Sequence, residues 1–178
     1  QFDLNASNGG HGGYGYNDWS QAKLKTTLNS TYWNTISSTY KAMVDQSHSW
    51  GIGGISSGFT RSQFYSAENN TRWTGKVGLM TPADYGYAST SCTDSTNMNS
   101  SADCKNNNWI YNSSYHQWTI TPYSGNSSLV WYVNADGIVD NGNANWTRPG
   151  VRPVLYLKSS IKITGGTGTS SDPYKLSS

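Results

Sequence analysis

Two runs of β-branched and aromatic residues flank an Asp-Gly turn in the stretch that decides the fold, Leu129-Val-Trp-Tyr-Val-Asn-Ala-Asp-Gly-Ile-Val139. Such runs favour strands, and Asp-Gly between them is a strong signal for a tight hairpin. A second turn signal, Asn141-Gly142, and the run Gly150-Val-Arg-Pro-Val-Leu155 follow. The pattern predicts a small antiparallel meander over residues 129–157, in which Pro153 marks an edge strand or a bulge.

Three helices are predicted outside this meander. Asp18 begins a capping-box pattern, and apolar residues follow it at helical spacing as far as Trp33. The spacing of apolar side chains predicts a second helix over residues 37–51. A short third helix is predicted after Thr81, a suitable N-cap that is followed by Pro82 at the first helical position.

Short aromatic and β-branched runs predict further strands over residues 63–67, 76–80, 118–121 and 161–164. The fold class is therefore α+β, with two N-terminal helices packed on a small antiparallel β-meander that carries long loops. We predict three parts, which are a flexible N-terminal segment at 1–16, a domain at 17–158 and a C-terminal strand-and-turn appendage at 159–178.

The composition favours a folded domain with a neutral, polar surface. Hydrophobic residues make up 34% and charged residues 12% of the chain, the net charge is +2, and 8 Trp and 13 Tyr can anchor a core. The Lys and Arg residues are scattered, so nucleic acid is excluded as the expected partner. No apolar run approaches the roughly 18 residues of a membrane span, so this segment is not expected to insert into a membrane.

The two cysteines, Cys92 and Cys104, bracket a polar loop that a disulfide would close. A disulfide implies an oxidising compartment, so the chain is expected outside the cell or at the cell surface. Two free thiols in a cytosolic protein are the alternative, and a zinc pair is disfavoured because no Cys-x-x-Cys spacing accompanies the two residues.

The sequence carries no motif of a catalytic nucleophile or of a phosphate-binding loop. His11, His48 and His116 lie far apart in sequence, without the spacing of metal ligands. The few acidic residues sit mostly in turn contexts, where an Asp side chain stabilises the backbone. We therefore predict that the protein is not an enzyme and has no cofactor.

Calcium is the one metal for which the sequence offers a possible binding site. Asp136, Asp140, Asn141 and Asn143 hold oxygen ligands close together, as calcium requires. The segment lacks the spacing and the distal Glu of an EF-hand, so turn formation is the favoured role of these residues.

The stretch from Tyr123 to Trp146 interleaves aromatic rings with Asn, Ser, Asp and small residues. Rings give a large contact area for little entropy loss, and amide and hydroxyl groups supply adaptable hydrogen bonds. This composition favours a recognition surface, while polar loops and strand edges are the alternative because Asn is a turn former. The candidate ligand-binding residues are Tyr123, Asn126, Trp131, Asn134, Asp136, Asp140, Asn141, Asn143, Asn145 and Trp146.

Neighbouring residues are assigned to the scaffold. Tyr132 and Val133 alternate with the candidate Trp131 along a strand, and the turn requires Gly137. Trp131 and Tyr132 could exchange roles in this assignment. Arg152 is expected to be partly buried and to donate hydrogen bonds to loop carbonyl groups.

Four motifs in the C-terminal half of the chain are considered together. They are Trp118-Thr-Ile-Thr-Pro122, Tyr132-Val133, Asp136-Gly137 and Gly150-Val-Arg-Pro-Val-Leu155. They are preceded by Gln63-Phe-Tyr-Ser-Ala67, Trp73-Thr-Gly-Lys, Gly78-Leu-Met-Thr-Pro-Ala-Asp-Tyr-Gly-Tyr-Ala88 and the two cysteines. Together they resemble the C-terminal modules of uncharacterised surface proteins of Gram-positive bacteria, which are often attached to type IV prepilin-like N-termini. The resemblance covers most of the chain.

The resemblance implies a C-type lectin-like fold. The Asn-rich stretch 134–146, ahead of Gly150-Val-Arg152, is also similar in position to the diversified stretch in the variable proteins of diversity-generating retroelements. An adhesin-like module that binds a glycan or a host or cell-surface protein is therefore expected. The chain lacks the Glu-Pro-Asn, Gln-Pro-Asp and Trp-Asn-Asp triplets of calcium-dependent lectins.

Two other classes of protein remain as alternatives. One is a structural subunit of a type IV pilus or surface layer that contacts other pilus subunits and binds no further ligand. The other is an oxidase, because a related lectin-like fold hosts enzymes that use cysteines. A disulfide between the two cysteines disfavours the oxidase.

Overall fold

The computed structural model describes residues 1–4 and 13–177. The helices are α1 (Lys23–Thr27), α2 (Trp33–Thr35), α3 (Ser38–Met43), α4 (Arg61–Glu68) and α5 (Pro82–Tyr87), with a π-helical turn at Leu28–Tyr32 and a 3-10 turn at Asp103–Lys105. The strands are β1 (His48–Gly51), β2 (Arg72–Gly75), β3 (Gln117–Pro122), β4 (Leu129–Val133), β5 (Val139–Asn143), β6 (Lys162–Gly165) and β7 (Lys175–Ser177). The fold is therefore a mixture of helices and small sheets.

All strand pairs in the described residues are antiparallel. β1 pairs with β2, β6 pairs with β7, and β3, β4 and β5 form the central sheet in that order. In the central sheet Trp131 lies opposite Asn141, and Tyr132 lies opposite Asp140. This register decides which side chains share a face.

β4 is the middle strand of the central sheet and is covered on both faces. Val130 and Tyr132 enter one core cluster, which contains Phe2, Trp19, Leu24, Leu28 and Trp118. Trp131 and Val133 enter a second cluster, which contains Phe64, Tyr85, Met98 and Val139. Because successive strand residues point to opposite faces, a run that is apolar throughout fits a strand buried on both sides.

The Asp-Gly hairpin predicted between β4 and β5 is confirmed. The N–H group of Gly137 donates to the carbonyl oxygen of Asn134 at 2.9 Å. Gly137 has a φ of 95°, and a Cβ atom there would lie 2.6 Å from the Cβ atom of Lys105. Only glycine satisfies both constraints.

The predicted extent of the meander is wrong. It runs through β3, β4 and β5 rather than over residues 129–157, and Asn141-Gly142 lies inside β5 instead of forming a turn. Residues 151–157 form isolated bridges, from Val154 to Gly78 and from Leu157 to Val44. Pro153 has no N–H group to donate, which interrupts any ladder here.

The third predicted helix is confirmed as α5. The side-chain oxygen of Thr81 accepts from the N–H of Asp84, and the carboxylate of Asp84 accepts from the N–H of Thr81. The first helical segment begins at Lys23 rather than at Asp18. The carboxylate of Asp18 instead fixes a turn, accepting from the N–H of Ser20 at 2.8 Å.

The second predicted helix is wrong beyond Met43. Helix α3 ends there, Val44 is extended, and residues 48–51 form β1. Trp50 of β1 lies opposite Trp73 of β2. Pairing between distant strands overrides the helical spacing of this segment.

The strand predicted over residues 63–67 is also wrong, because this segment is α4. Thr60 and Gln63 form a capping box, and the buried Phe64 and Glu68 lie one helical turn apart on one face. The aromatic content of the segment reflects this buried face.

The strand predicted over residues 76–80 is wrong, because this segment joins no sheet. The amide of Asn29, in the π-helical turn, accepts from the N–H of Val77 at 3.1 Å and donates to its carbonyl at 2.8 Å. Gly78 pairs with Val154. The backbone groups of this segment are therefore satisfied by the Asn29 side chain and by one isolated bridge, instead of by a neighbouring strand.

The prediction of a flexible segment at residues 1–16 needs correction at its start. Phe2 and Asp3 are buried, and the N–H of Phe2 donates to the carbonyl of Ala144 at 2.9 Å. Residues 5–12, which include His11 and part of the predicted flexible segment, lie outside the described residues. The strand predicted at 161–164 corresponds to β6, while its partner β7 was not predicted.

The predicted disulfide between Cys92 and Cys104 is present, and both residues are buried. It closes a loop that places Met98 in the second core cluster. None of the helices in the part of the chain that the structure describes is long and apolar enough to cross a membrane.

Candidate functional site

The structure removes Trp131 from the predicted ligand-binding surface. Its side chain is fully buried, and its indole N–H donates to the carbonyl of Ile55 at 3.2 Å. The rings of Phe59 and Tyr123 pack against it, with centroids 4.9 and 5.5 Å away. Trp131 is therefore a core residue, because β4 is covered on both faces.

Tyr123 and Asn126 stabilise the connection between β3 and β4. The side-chain amide of Asn17 donates to the carbonyl groups of Tyr123 and Asn126 at 3.1 and 2.9 Å. The side-chain oxygen of Asn126 accepts from the N–H of Ser128. Tyr123 is partly buried and its ring packs edge to face on Trp131, so both Tyr123 and Asn126 have structural roles in this loop.

Asn134 and Asp136 belong to the hairpin turn. One carboxylate oxygen of Asp136 accepts from the N–H of Ile138 at 3.0 Å, and the other accepts from the side-chain amide of Asn134 at 3.3 Å. Asp136 is exposed at the tip of the hairpin. These side chains fold the turn in the way that Asx residues commonly do.

The oxygens predicted to bind calcium do not converge. Asp140 and Asn141 are neighbours in β5 and point to opposite faces of the sheet, with Asn143 on the side of Asn141. The carboxylate of Asp136 is occupied by the turn. The described residues contain no group of three or more His, Cys, Asp or Glu side chains that could hold a metal ion.

Asn145 and Trp146 follow β5 and differ in role. The side-chain amide of Asn145 donates to the carbonyl of Gly13 at 3.1 Å, and its N–H donates to the carbonyl of Tyr14. Asn145 thereby holds the segment at residues 13–14 against the end of β5. Trp146 is 39% exposed and is the aromatic residue of the predicted set that reaches solvent most clearly.

The ring of Trp146 lies directly over Gly142. A Cβ atom on Gly142 would lie 2.7 Å from the Trp146 ring and 3.2 Å from the ring of Tyr132. The Trp146 and Tyr132 rings are 6.1 Å apart between centroids. Because glycine leaves room beneath it, the indole is supported on one side and open to solvent on the other.

Tyr132 links Trp146 to a carboxylate. Its hydroxyl donates to Asp140 at 3.2 Å. Burial, followed by the negative charge of Asp140, raises the pKa of Tyr132 to about 12, while the positive charge of Arg148 acts in the opposite direction. Tyr132 is therefore a neutral hydrogen-bond donor that fixes the position of Asp140.

Arg148 and Trp146 line a cavity of about 320 Å³ beside this cluster. We call Tyr132, Asp140, Trp146 and Arg148 the Trp146 face. An exposed indole can stack on a sugar ring or on an apolar side chain, while a guanidinium and a carboxylate select hydrogen-bonding partners. Trp146, Thr147 and Arg148 are its lining residues, so it is a surface concavity formed by one short segment.

The sequence prediction missed Arg148 and placed Tyr132 in the scaffold. His116, which lies far from the other histidines in sequence, packs beside this face: its ring centroid lies 5.6 Å from that of Tyr132, and its Nδ1 atom accepts from the N–H of Ala135 at 3.2 Å. The sequence contained a signal that places Tyr132 beside Asp140. The Asp-Gly turn sets the register of the hairpin, and in that register the two residues lie opposite each other.

Arg152 has the expected structural role. Its guanidinium donates to the carbonyl of Ile110 at 2.6 Å, and the side chain is partly buried. Gly150, just before it, bridges to Gln117 at the start of β3. The Gly-Val-Arg segment therefore anchors a loop to the central sheet.

The sequence matches a protein family that is described as a domain of unknown function, DUF6273. The match covers residues 3–159, which include the central sheet, the disulfide loop and the Trp146 face. No curated protein and no solved structure gives a significant match. Since the family match covers well over half of the chain, the chain belongs to the DUF6273 family.

Proposed function

We propose that this domain is an extracellular recognition module that binds a glycan or a cell-surface protein through the Trp146 face. The observation that carries the proposal is the exposed Trp146 ring, seated over Gly142 beside a cavity that Arg148 also lines. A ring that is already fixed in place loses little entropy on binding. Asp140 and Arg148 then choose the partner through directed hydrogen bonds.

Two features support the extracellular setting and the fold. The Cys92–Cys104 disulfide is typical of proteins that work in an oxidising compartment. A helical segment packed on a small antiparallel sheet with long loops agrees with the C-type lectin-like fold that the sequence motifs imply. We include that fold, and attachment to a prepilin-like or other surface protein, in the proposal.

Binding rather than catalysis is proposed. Both cysteines of the sequence are used in the disulfide, so neither thiol is available for cysteine-dependent oxidation. The residues of the Trp146 face offer stacking and hydrogen bonding, which suffice for recognition.

The test is a glycan and surface-protein array probed with the wild type, Trp146→Ala and Trp109→Ala. Trp109 is 83% exposed and lies outside the Trp146 face, so it is a control for the loss of an exposed indole. We expect a hit that Trp146→Ala weakens at least tenfold and that Trp109→Ala leaves unchanged, because ring anchors dominate such interfaces. Far-UV circular dichroism checks that all three proteins fold equally.

Either of two results contradicts the proposal. If Trp146→Ala binds as well as the wild type, the Trp146 face is not the contact surface. If the wild type binds no glycan and no surface protein, a structural subunit of a pilus or surface layer becomes the better explanation.

A further inference from the structure

A second concave site shares no residue with the Trp146 face. It is a cleft of about 160 Å³ between β1, α4, the start of α5 and Tyr156. Aromatic rings form its walls and the carboxyl group of Glu68 belongs to its lining. No sequence motif pointed to this cleft, because its residues come from four separate segments.

One wall is a packed cluster of three rings. Tyr156 stacks on His48 with centroids 3.6 Å apart, and both rings contact Trp50 edge to face. The indole N–H of Trp50 donates to the carbonyl of Gly75 at 2.9 Å. A Cβ atom on Gly78 would lie 2.5 Å from the Trp50 ring, so the ring is wedged in place.

Tyr65 and Tyr87 form another part of the lining, and their rings meet edge to face with centroids 5.9 Å apart. The guanidinium of Arg61 lies 4.3 Å from the Tyr87 ring centroid and forms an ion pair with Asp94 at 2.8 Å. Tyr87 is nevertheless 52% exposed. The ring is held from behind and is open towards solvent, which suits an aromatic stacking surface.

Glu68 supplies a polar group from the buried side of the cleft. It is 2% exposed, and its Oε1 atom accepts from the N–H of Ala83 at 3.2 Å and from the hydroxyl of Thr121 at 3.5 Å. Burial raises its pKa to about 8, against the opposing effect of these hydrogen bonds. At neutral pH the carboxyl group is mostly protonated, so it can donate a hydrogen bond as well as accept one.

The exposed charges of the cleft have opposite signs. Arg72 and Asp84 both line it, and both act on the hydroxyl of Tyr156, whose pKa is raised first by burial and then by Asp84, and lowered by Arg72. The pair offers a donor group and an acceptor group without a strong net field. A neutral polyhydroxyl ligand matches this arrangement better than a phosphate or another anion does.

We infer that this cleft binds one sugar ring of a carbohydrate, with tyrosine rings against the apolar faces of the sugar and Glu68, Arg72 and Asp84 at its hydroxyl groups. The volume is below the roughly 300–1,000 Å³ that encloses a larger ligand, so the cleft holds a single ring or a chain end. The inference is independent of the Trp146 face, since no side chain is shared.

The experiment uses the full chain and methyl glycosides of the common hexoses and N-acetylhexosamines as probes. Saturation-transfer NMR detects binding at millimolar probe concentrations, and heteronuclear NMR titration gives the affinity. We expect at least one glycoside to bind, with at least tenfold weaker binding for Tyr87→Ala and for Tyr156→Ala. Glu68→Gln should bind within about threefold of the wild type, because a neutral amide also donates and accepts.

Tyr115→Ala is the matched control, since Tyr115 is 63% exposed and does not line the cleft. Its binding should equal that of the wild type, as should that of Trp146→Ala. Absence of binding to every glycoside overturns the inference, and so does equal binding by both tyrosine variants of the cleft. If Trp146→Ala alone loses the sugar, the Trp146 face is the glycan site and the cleft is not.

Discussion

Glu68 has a carboxyl group enclosed between α4, the start of α5 and β3, and it is charged only at a free-energy cost. Burial is the largest influence on its pKa, which rises from the ordinary value of 4.5 to about 8, and the negative charge of Asp84 adds to the effect. Hydrogen bonds from Thr81, Ala83 and Thr121 act in the opposite direction. The folded protein therefore binds a proton here that the unfolded chain releases.

This difference in proton binding predicts that stability falls as the pH rises. Between pH 4.5 and about 8 the folded state is protonated at Glu68 while the unfolded state is not, so the contribution is complete below pH 4.5 and is lost above pH 8. The expected loss is on the order of 4 kcal/mol. Urea unfolding of the wild type and of Glu68→Gln at about pH 5 and about pH 9 measures it.

Glu68→Gln should remove this decline, because an amide does not titrate. The comparison between the two proteins isolates Glu68 from the other ionisable groups. Parallel pH profiles for the wild type and Glu68→Gln would show that the carboxyl group does not have the raised pKa.

Neighbouring residues in β4 show how far a strand pattern can predict a site. Alternation correctly separates Trp131 from Tyr132, but it does not say which face meets solvent. Both faces of β4 are covered, and the exposed ring comes instead from Trp146, beyond the end of β5. Tyr132 still contributes to the Trp146 face, because it supports that ring and binds Asp140.

At the scale of elements, the sequence predicted the features that depend on nearby residues. It did not predict the strands that depend on pairing between distant segments. The Asp-Gly hairpin, the Thr81 cap of α5 and the disulfide each depend on residues that are close in sequence. β1 and β2 form only because they pair with each other across α4. Their sequences contain no alternation strong enough to override the helical spacing of residues 37–51.

Aromatic content misled the prediction of α4 for a related reason. Phe64 is buried against Trp131, with ring centroids 5.2 Å apart, while Tyr65 faces the cleft. A short helix with one buried ring and one exposed ring resembles a strand in composition. The capping box of Thr60 and Gln63 was the signal that distinguishes the two.

The loop from Cys92 to Cys104 is an element that the disulfide stabilises. Met98 lies in the core, its N–H donates to the carbonyl of Phe59 at 2.9 Å, and its carbonyl accepts from Val139 at 2.8 Å. Through these hydrogen bonds the loop joins the segment that precedes α4, at Phe59, to the start of β5, at Val139. Closing it covalently limits the conformations that the unfolded chain can adopt.

We predict that the Cys92→Ala, Cys104→Ala double variant loses about 3 kcal/mol of unfolding free energy, as expected for a loop of this length. Chemical denaturation with and without a reducing agent measures the effect. The reductant should lower the stability of the wild type and leave the double variant unchanged. A fully reduced wild type, verified by mass spectrometry, with unchanged stability would contradict this prediction.

At the scale of the whole molecule, the two ends of the chain contribute unequally to the core. Phe2 is fully buried, and its ring packs on Trp19 and Trp118 at 5.6 and 6.0 Å. Its N–H donates to Ala144, just beyond β5. The N-terminal residues thus cover one side of the first core cluster. The segment that they contact, at the end of β5, is far from them in sequence.

The C-terminal hairpin is different. No residue from 160 to 177 is buried, and β6 pairs with β7 within the hairpin itself. The family match ends at residue 159, just before this hairpin. The boundary between the domain and its C-terminal appendage stays a prediction, which truncation can test.

The unequal ends lead to a prediction about truncation. Removal of residues 160–178 should change the unfolding free energy by no more than about 0.5 kcal/mol, since none of the described side chains from 160 to 177 is buried. Phe2→Ala should cost about 3–5 kcal/mol, because it leaves a cavity among tryptophan rings. Urea unfolding of the two variants beside the wild type measures both changes, and an NMR spectrum of the truncated chain shows whether the domain is otherwise unchanged. A large loss on truncation would place the hairpin within the cooperative fold, whereas a neutral Phe2→Ala would mean that the N-terminal residues are dispensable to the core.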